Sequence, residues 1–327
     1  MAKEANVSTT AVSYYTNGNG YVSEEKRQRI KVAIQKLGYK PNPVAKNLKM
    51  KNSKQLAFLF TEFSNPYHSQ LADTAMVTAK NNGYTTLVAN YVDDEYVLDL
   101  CSYMISGVLV CTYDVSEEAL KKIADEMKIP VVILGSSPTN FESPLVSRIT
   151  FNYQIATEEI LAHMKKYHKK KLAYIAYEED NSTEEYTDAK LEVLENIAKT
   201  NKIPLSLQKV FVNIQDIESV THLMQELFTK KNKKPELLLC LNNSIALVVL
   251  NSLAELGISP PEDVEVIAYD DTTYSRICVP KLTVVDLEAS YISQLATEVL
   301  IKKCQNEKVY DVQISPKLIF RDSTLPE

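Results

Sequence analysis

Ala5-Asn6-Val7-Ser8-Thr9-Thr10-Ala11-Val12-Ser13-Tyr14-Tyr15-Thr16-Asn17-Gly18 is the stretch on which the reading of this chain turns. Asn6 tolerates the left-handed backbone of a tight turn, and Ser8 is a residue type that caps a helix by accepting a hydrogen bond from its first turn. The helix this predicts is polar except at Val12 and the tyrosines, so it must face something polar. Ahead of it, Ala2 to Ala5 reads as the end of a preceding helix. Behind it, Asn17-Gly18-Asn19-Gly20 is a break. Ser23 then caps a third helix, with Glu24 and Glu25 on its positive end and Ile30, Ala33, Ile34 and Leu37 on one face, and Gly38 closes it. Three short helices with a polar middle one satisfy the geometry of a helix-turn-helix; on periodicity alone they fit a generic three-helix bundle equally well.

The segment beyond the third helix separates the two readings. After Gly38-Tyr39-Lys40-Pro41, the run Asn42-Pro43-Val44-Ala45-Lys46-Asn47-Leu48-Lys49-Met50 offers an Asn N-cap and Pro at the first helical position, with room for about two turns. A helix that short is unstable alone. It carries small residues, Val44 and Ala45, for close approach to a partner, an apolar tip at Leu48, and Lys46, Lys49 and Lys51 for phosphates. Charge agrees: residues 1–54 hold nine Lys and two Arg against three Glu, a net of +8 in a chain whose total is −6, so the remainder carries −14. A basic head on an acidic body is the electrostatic pattern of a nucleic-acid reader.

At 327 residues the chain exceeds one ordinary domain, and 45% hydrophobic with 24% charged residues is a globular composition. No apolar run is long enough for a membrane span, and Met1 to Asn6 has no apolar leader core, so the expectation is a cytoplasmic protein with no membrane partner. The five cysteines, Cys101, Cys111, Cys240, Cys278 and Cys304, form no C-x-x-C pair and imply neither a disulfide framework nor a zinc site. Nucleotide-binding glycine loops and the G-x-S-x-G elbow are absent, and only seven Gly occur in all, so no enzyme, cofactor or metal is expected. His163 and His168, followed by lysines, read as a solvated helix end, and Asp93-Asp94-Glu95 and Glu178-Glu179-Asp180 as solvated loops.

From Ser53 onward, β-type runs alternate with helical patterns, the signature of parallel βαβ units. The strand candidates are 56–60, 85–88, 107–110, 131–134, 172–176, 210–212, 237–241, 264–269 and 282–285, with a tail strand near 318–320. The expected fold class is α/β: an all-α helix-turn-helix head over residues 1–40, a hinge helix and linker over 41–54, and a core over 55–327 of two doubly wound lobes. The first lobe spans about 55–149 and 285–310, the second about 150–284 and 311–327. Ligands of such sheets bind at the C-terminal strand ends, here in a cleft between lobes. Phe151, Tyr67 and Tyr186 would give that cleft a neutral, partly aromatic lining.

The chain resembles the lactose-repressor/galactose-repressor (LacI/GalR) family of transcription regulators. The resemblance rests on Ala5-Asn6-Val7-Ser8-x-x-x-Val12-Ser13, Asn17-Gly18, Val22-Ser23-Glu24-Glu25-x-Arg27, Leu37-Gly38-Tyr39-x-Pro41-Asn42 and Val44-Ala45-x-x-Leu48. It continues through the core in Phe63-Ser64-Asn65-Pro66-Tyr67 and Val266-Ile267-Ala268-Tyr269-Asp270-Asp271. It implies a periplasmic-binding-protein-like core and a repressor acting as a homodimer on palindromic operator DNA under a small-molecule effector, a sugar in many members. Thr9, Thr10 and Tyr14 would face bases, Ser8, Ser13 and Asn17 phosphates, and Leu48 would be the minor-groove wedge. Tyr67, His68, Asn152, Asn242 and Asp270 or Asp271 would line the cleft. A transport-type solute-binding protein shares such a core, and a regulator answering to a protein partner is the other alternative. Three departures stand out: Tyr14 replaces a frequent Arg, Tyr186-Thr187-Asp188-Ala189 stands where an Arg-x-x-Gly pattern is common, and Gly135 and Leu287 replace polar residues. The chain also starts inside the family's first helix, so a start upstream of Met1 is expected.

Overall fold

The structure is a computed structural model that describes residues 1–18, 20–39, 53–135, 141–178, 188–229 and 234–327. It divides into two units, Met1–Lys54 and Gln55–Glu327.

In the first unit, residues 1–7 form one turn, with Ala5 N donating to Met1 O at 2.9 Å and Val7 N to Ala2 O at 3.1 Å. The turn ends at Asn6, in the left-handed region at φ 47°. Helix α1 (Thr9–Asn17) starts at Ser8, whose hydroxyl accepts from Ala11 N at 3.1 Å, and stops at Gly18. Helix α2 (Glu24–Leu37) stops at Gly38; Ser23 stands at its N-cap, but its hydroxyl makes no capping bond. Ala5, Val22, Ile30 and Ala33 form the buried centre, flanked by Val7, Val12, Tyr15 and Ile34. The expected helix end ahead of α1 is a single turn closed by the left-handed Asn6. The hinge helix expected over 42–50 lies outside the described residues.

The second unit runs β1 (Gln55–Phe60), α3 (Pro66–Asn81), β2 (Thr85–Asn90), α4 (Asp94–Ser102), β3 (Gly107–Cys111), α5 (Glu117–Lys121, continued by a π-helical segment Lys122–Glu126), β4 (Val131–Leu134) and β5 (Val146–Phe151). Then come α6 (Gln154–Lys166), β6 (Lys171–Tyr177), α7 (Ala189–Thr200), β7 (Ser206–Val212), α8 (Ile217–Thr229), β8 (Leu237–Cys240), α9 (Asn243–Glu255), β9 (Glu265–Tyr269), α10 (Thr273–Ile277) and β10 (Thr283–Asp286). Helix α11 (Ala289–Cys304), β11 (Val312–Ile314) and β12 (Lys317–Ile319) complete the chain.

Two six-stranded sheets result, ordered β11-β5-β4-β3-β1-β2 and β12-β10-β9-β8-β6-β7. Pairing is parallel throughout except for β12, which runs antiparallel to β10. Parallel strands covered by helices on both faces must be apolar almost continuously. β3 and β4 are buried at every residue, as are β8 and β9.

The sequence did not announce β5 or β11. Val146-Ser147-Arg148-Ile149 is interrupted by two polar residues, one of them charged, as suits a strand near a sheet edge, and β11 has only three residues. The lobe limits need correction accordingly. Val312 to Ile314 pair with Ile149 to Phe151 in the first sheet although 311–327 was expected in the second lobe. Val285 and Asp286, expected in the first, belong to β10 in the second. A short edge strand is placed by backbone pairing, which leaves little mark in side-chain pattern.

Two further expectations are overturned. His163 is buried rather than solvated: its Nε2 lies 3.0 and 3.1 Å from the two Glu265 oxygens. Lys169 Nζ is 3.1 Å from the same carboxylate, and Leu325 N donates to it at 2.8 Å. Burial alone would raise Glu265, but the His163 hydrogen bond, the Leu325 N–H and the Lys169 charge outweigh it and hold the carboxyl below its usual range. Asp93, read as loop, caps α4 by accepting from Tyr96 N at 2.7 Å.

Candidate nucleic-acid interface and effector cleft

On α1, residues 9, 10, 13 and 14 lie on one face because the helix repeats every 3.6 residues. Thr9 and Thr10 are exposed, Ser13 is half-buried, and the Tyr14 ring is 42% exposed, while Val12 and Tyr15 turn to the packed side. Ser8 accepts from the Ala11 N–H with its hydroxyl oxygen, which leaves its own O–H to donate outward. Tyr14 is set by the adjoining turn: a Cβ on Gly20 would approach its ring to 2.6 Å, so only glycine lets that backbone pass. Asn17 is the last residue of the helix. Val44, Ala45 and Leu48 lie outside the described residues.

In the core, parallel order with β1 between β2 and β3, and β6 between β7 and β8, puts a topological switch point in each sheet. The candidate residues gather at the strand ends around those points. From the first lobe, α3 supplies Tyr67 and His68, held by Asn65, which caps α3 by accepting from Tyr67 N at 3.0 Å. His68 Nδ1 is 2.9 Å from the Glu62 carbonyl oxygen, which can only accept, so Nδ1 carries the proton. Burial lowers the His68 pKa, keeping the ring neutral. The Tyr67 hydroxyl is buried with no hydrogen-bond partner among the described residues. Burial pushes this phenol well up, and the Asp270 charge and the phenols of Tyr153 and Tyr113 add to the rise.

The second lobe supplies the charges. Asp270, directly after β9, is 4% exposed, and its carboxylate accepts no hydrogen bond within 3.5 Å from the described residues. Burial pushes it up to about 6, with the Lys190 charge pulling it back down and Asp286 adding to the rise. Lys190 is the residue that sequence reasoning missed. It occupies the first turn of α7, donates from Nζ to the Leu241 carbonyl at 2.9 Å, and sits 4.4 Å from the centre of the Tyr269 ring. Desolvation lowers its pKa, and Asp270 and Asp188 pull it back up. The neutral lining expected from the lack of arginines is therefore corrected to a buried cation and carboxylate. The available signal was a lysine just inside a helix start, where the dipole disfavours positive charge.

The remaining candidates are engaged locally. Asn242 caps α9, accepting from Ile245 N at 3.0 Å, and donates from Nδ2 to Tyr177 Oη at 2.9 Å. Asp271 takes a two-pronged bond from Arg321 at 2.9 and 2.8 Å, away from Asp270. Asn152 Oδ1 accepts from Gln154 N at 3.0 Å, and the half-buried Phe151 ring lies 5.9 Å from Tyr153. Tyr153 meets Tyr269 edge-on at 5.7 Å. Tyr186 is outside the described residues. Gly135 has φ 101°, which a residue with a Cβ rarely adopts, and Leu287 is buried in the main core; the first departure from a polar residue has a backbone cause and the second a packing one. Among the described residues no cluster of three His, Cys, Asp or Glu is placed to hold a metal, and no helix is long and apolar enough to cross a membrane.

A polar exposed helix on a small basic head and a two-lobed α/β core are the parts of a DNA-binding regulator. Residues 1–42 match the model of bacterial regulatory proteins of the lacI family, and residues 161–324 that of the periplasmic binding protein-like domain. The chain belongs to the LacI family and is a DNA-binding transcriptional regulator. It is 26% identical to catabolite control protein A of Staphylococcus aureus, covering 99% of this chain and 98% of that one. It is 24% identical to the transcriptional repressor PurR of Aliivibrio fischeri, at 99% and 97% coverage. These relatives are transcription regulators, not enzymes. In fold it matches the Lac repressor dimer bound to operator and the anti-inducer ONPF, with TM-score 0.81, 21% identity, and 99% and 98% coverage. A LacI family regulator from Arthrobacter in complex with lactose matches at TM-score 0.71 and 17% identity, over 83% of this chain and 99% of that one.

Proposed function

We propose that this regulator acts as a homodimer on a palindromic operator and that a small, hydroxyl-bearing effector of the sugar class, held between the core lobes, sets its affinity. The observation that carries the effector reading is the Asp270 carboxylate: buried, without a hydrogen bond from the described residues, and facing the unpartnered Tyr67 hydroxyl and the Lys190 ammonium. Such groups cost stability unless a ligand completes them. Asp270 accepts from ligand hydroxyls, Lys190 and Tyr67 donate, and Tyr67, His68, Phe151 and Tyr186 offer ring faces. Asn242 and Asn152 shape the rim, and Asp271 acts through its neighbour. Lys190 is the sole lysine or arginine among the described cleft residues, and it already faces Asp270 and Asp188. A neutral ligand suits this site better than a phosphorylated one.

On the DNA side, Thr9, Thr10 and Tyr14 meet base edges, with Ser8, Ser13 and Asn17 on phosphates and the paired hinges inserting Leu48 beside Val44 and Ala45. Exposed apolar side chains on the core, Val77 and Tyr291 on the packed pair α3 and α11, and Tyr274, Ile277 and Val279 around α10, support pairing of two copies. Lobe closure on the effector shifts the dimer halves and so the paired hinges.

The test is selection of bound DNA from a random library, repeated with neutral sugars and with their phosphates. A palindromic consensus whose recovery changes with a neutral sugar, and no longer does so in Asp270→Asn, is the expected result. A non-palindromic consensus ends the dimer reading, and an unchanged sugar response in Asp270→Asn ends the effector reading.

A further inference from the structure

Asp270 reaches the cleft from a backbone in the left-handed region, φ 74°, which Asp tolerates better than most residues with a Cβ but less readily than glycine, and its neighbours hold it there. The neighbours here are identifiable. On one side, the fully buried Asn243 donates from Nδ2 to the carbonyls of Tyr269 at 3.0 Å and Asp270 at 2.6 Å, and its Oδ1 accepts from Thr272 Oγ1 at 2.8 Å. Asp270 N donates to Val285 O at 3.0 Å. On the other side, the next residue is pinned. Asp271 receives the Arg321 fork, accepts from Ser275 Oγ at 2.6 Å, and has Arg276 Nε at 3.6 Å. Consecutive carboxylates are thus turned apart, Asp270 into the cleft and Asp271 towards the C-terminal tail.

That tail is itself fixed to the second sheet. Arg321 donates to Leu282 O at 3.0 Å; Ser323 donates to Val266 O at 2.6 Å and accepts from Thr283 N at 2.8 Å. The fork is planar, two-pronged and mostly withdrawn from water, a geometry that fixes orientation as well as charge. Arg321 is 50 positions along the chain from Asp271, so the tail and β9 meet at this point only through the fold.

We infer that Asn243 and Arg321 are positioning residues for Asp270, and that the C-terminal tail is therefore a working part of the effector site. Neither residue needs to touch ligand: Asn243 fixes the peptide on the near side of Asp270, and Arg321 fixes the peptide beyond it by anchoring Asp271. The inference rests on the proposal that Asp270 meets the effector, but its geometric half is testable without any ligand. The charged and titratable groups facing Asp270 are Lys190 from the first turn of α7, Asp286 from β10, and the phenols of Tyr67, Tyr113, Tyr153 and Tyr177.

The experiment uses the full chain with Asp271→Ala and Arg321→Ala together, which removes the fork without changing net charge. The Asp270 carboxyl is followed by carbon NMR over pH, and the backbone by crystallography. In the unaltered chain the carboxyl, pushed up by burial to about 6, is expected to titrate there. In the variant it is expected to fall by at least one pH unit as residue 270 leaves the left-handed region and its carboxylate reaches water. A merely structural ion pair would lower the melting temperature and leave both the titration and the backbone angle where they were; that result overturns the inference. Should the double variant fail to accumulate as folded protein, Asn243→Ala breaks the other half of the clamp and is read the same way. A sugar response that persists in Asp270→Asn would defeat the effector role alone and leave the clamp result standing.

Discussion

The two lobes share one strand order and differ in what they place at its end. The first brings an imidazole and phenols to the cleft, from His68, Tyr67 and Tyr113; the second brings Asp270, Lys190 and Asp188. The second also holds the fully buried His163–Glu265 contact and is tied by the tail through Arg321, Ser323 and Leu325, whereas the last strand of the first lobe is a three-residue parallel edge. One architecture therefore supports two divisions of labour. Buried charges need neighbours that are fixed before a ligand arrives, and the lobe that carries them is the one whose last strands are tied by the C-terminal tail.

The contrast between the lobes breaks first at Glu265. Glu265→Ala leaves the buried His163 and the Lys169 ammonium without their acceptor and should cost about 3–5 kcal/mol, typical of removing one partner of a buried pair. Denaturant unfolding would show it, and a loss below about 1 kcal/mol would mean that the second lobe does not depend on this knot.

Asp270→Asn should act in the opposite direction. Because the folded pKa of Asp270 is raised from 3.8 to about 6, the native chain binds a proton more readily than the unfolded one, and the carboxylate costs stability increasingly as pH rises through that window. The amide should therefore stabilise the core by about 2–3 kcal/mol at pH 8, with the gain fading towards pH 4. A gain independent of pH would remove the burial explanation.

In the first lobe, Tyr67→Phe removes a buried hydroxyl without a hydrogen-bond partner among the described residues, so stability should be unchanged or rise by about 1 kcal/mol while the effector response weakens. A clear loss of stability would show that the hydroxyl serves the fold. The smallest effect belongs to the head, which carries no buried charge pair of this kind among its described residues: Ser8→Ala should lose about 1 kcal/mol of cap energy, read as lower melting of the head and weaker operator binding.

Much of this was legible from residues alone, for reasons that differ by element. Ser8, Asn6, Gly18 and Gly38 announce their turns and caps because the backbone conformations involved suit few residue types. The strands at 56–60, 107–110 and 237–241 show as near-continuous apolar runs because both faces are covered. β5 and β11 did not show, since pairing at an edge is made by backbone groups that every residue carries. His163 was misread because its neighbouring lysines look solvated; its acceptor, Glu265, is 102 positions away.

The sequence by itself determined the division into a polar-faced basic head and a βαβ core, because caps, glycine turns and apolar periodicity are local and are written within a few residues of where they act. Only the tertiary structure decided what the cleft contains. Lys190, Asp270, Tyr67 and Arg321 come from α7, the end of β9, α3 and the tail, and nothing in their own neighbourhoods distinguishes a solvated charge from a buried one. Burial and long-range Coulomb fields are properties of the assembled sheets, and they alone separate Asp270, facing the cleft, from Asp271, held by Arg321.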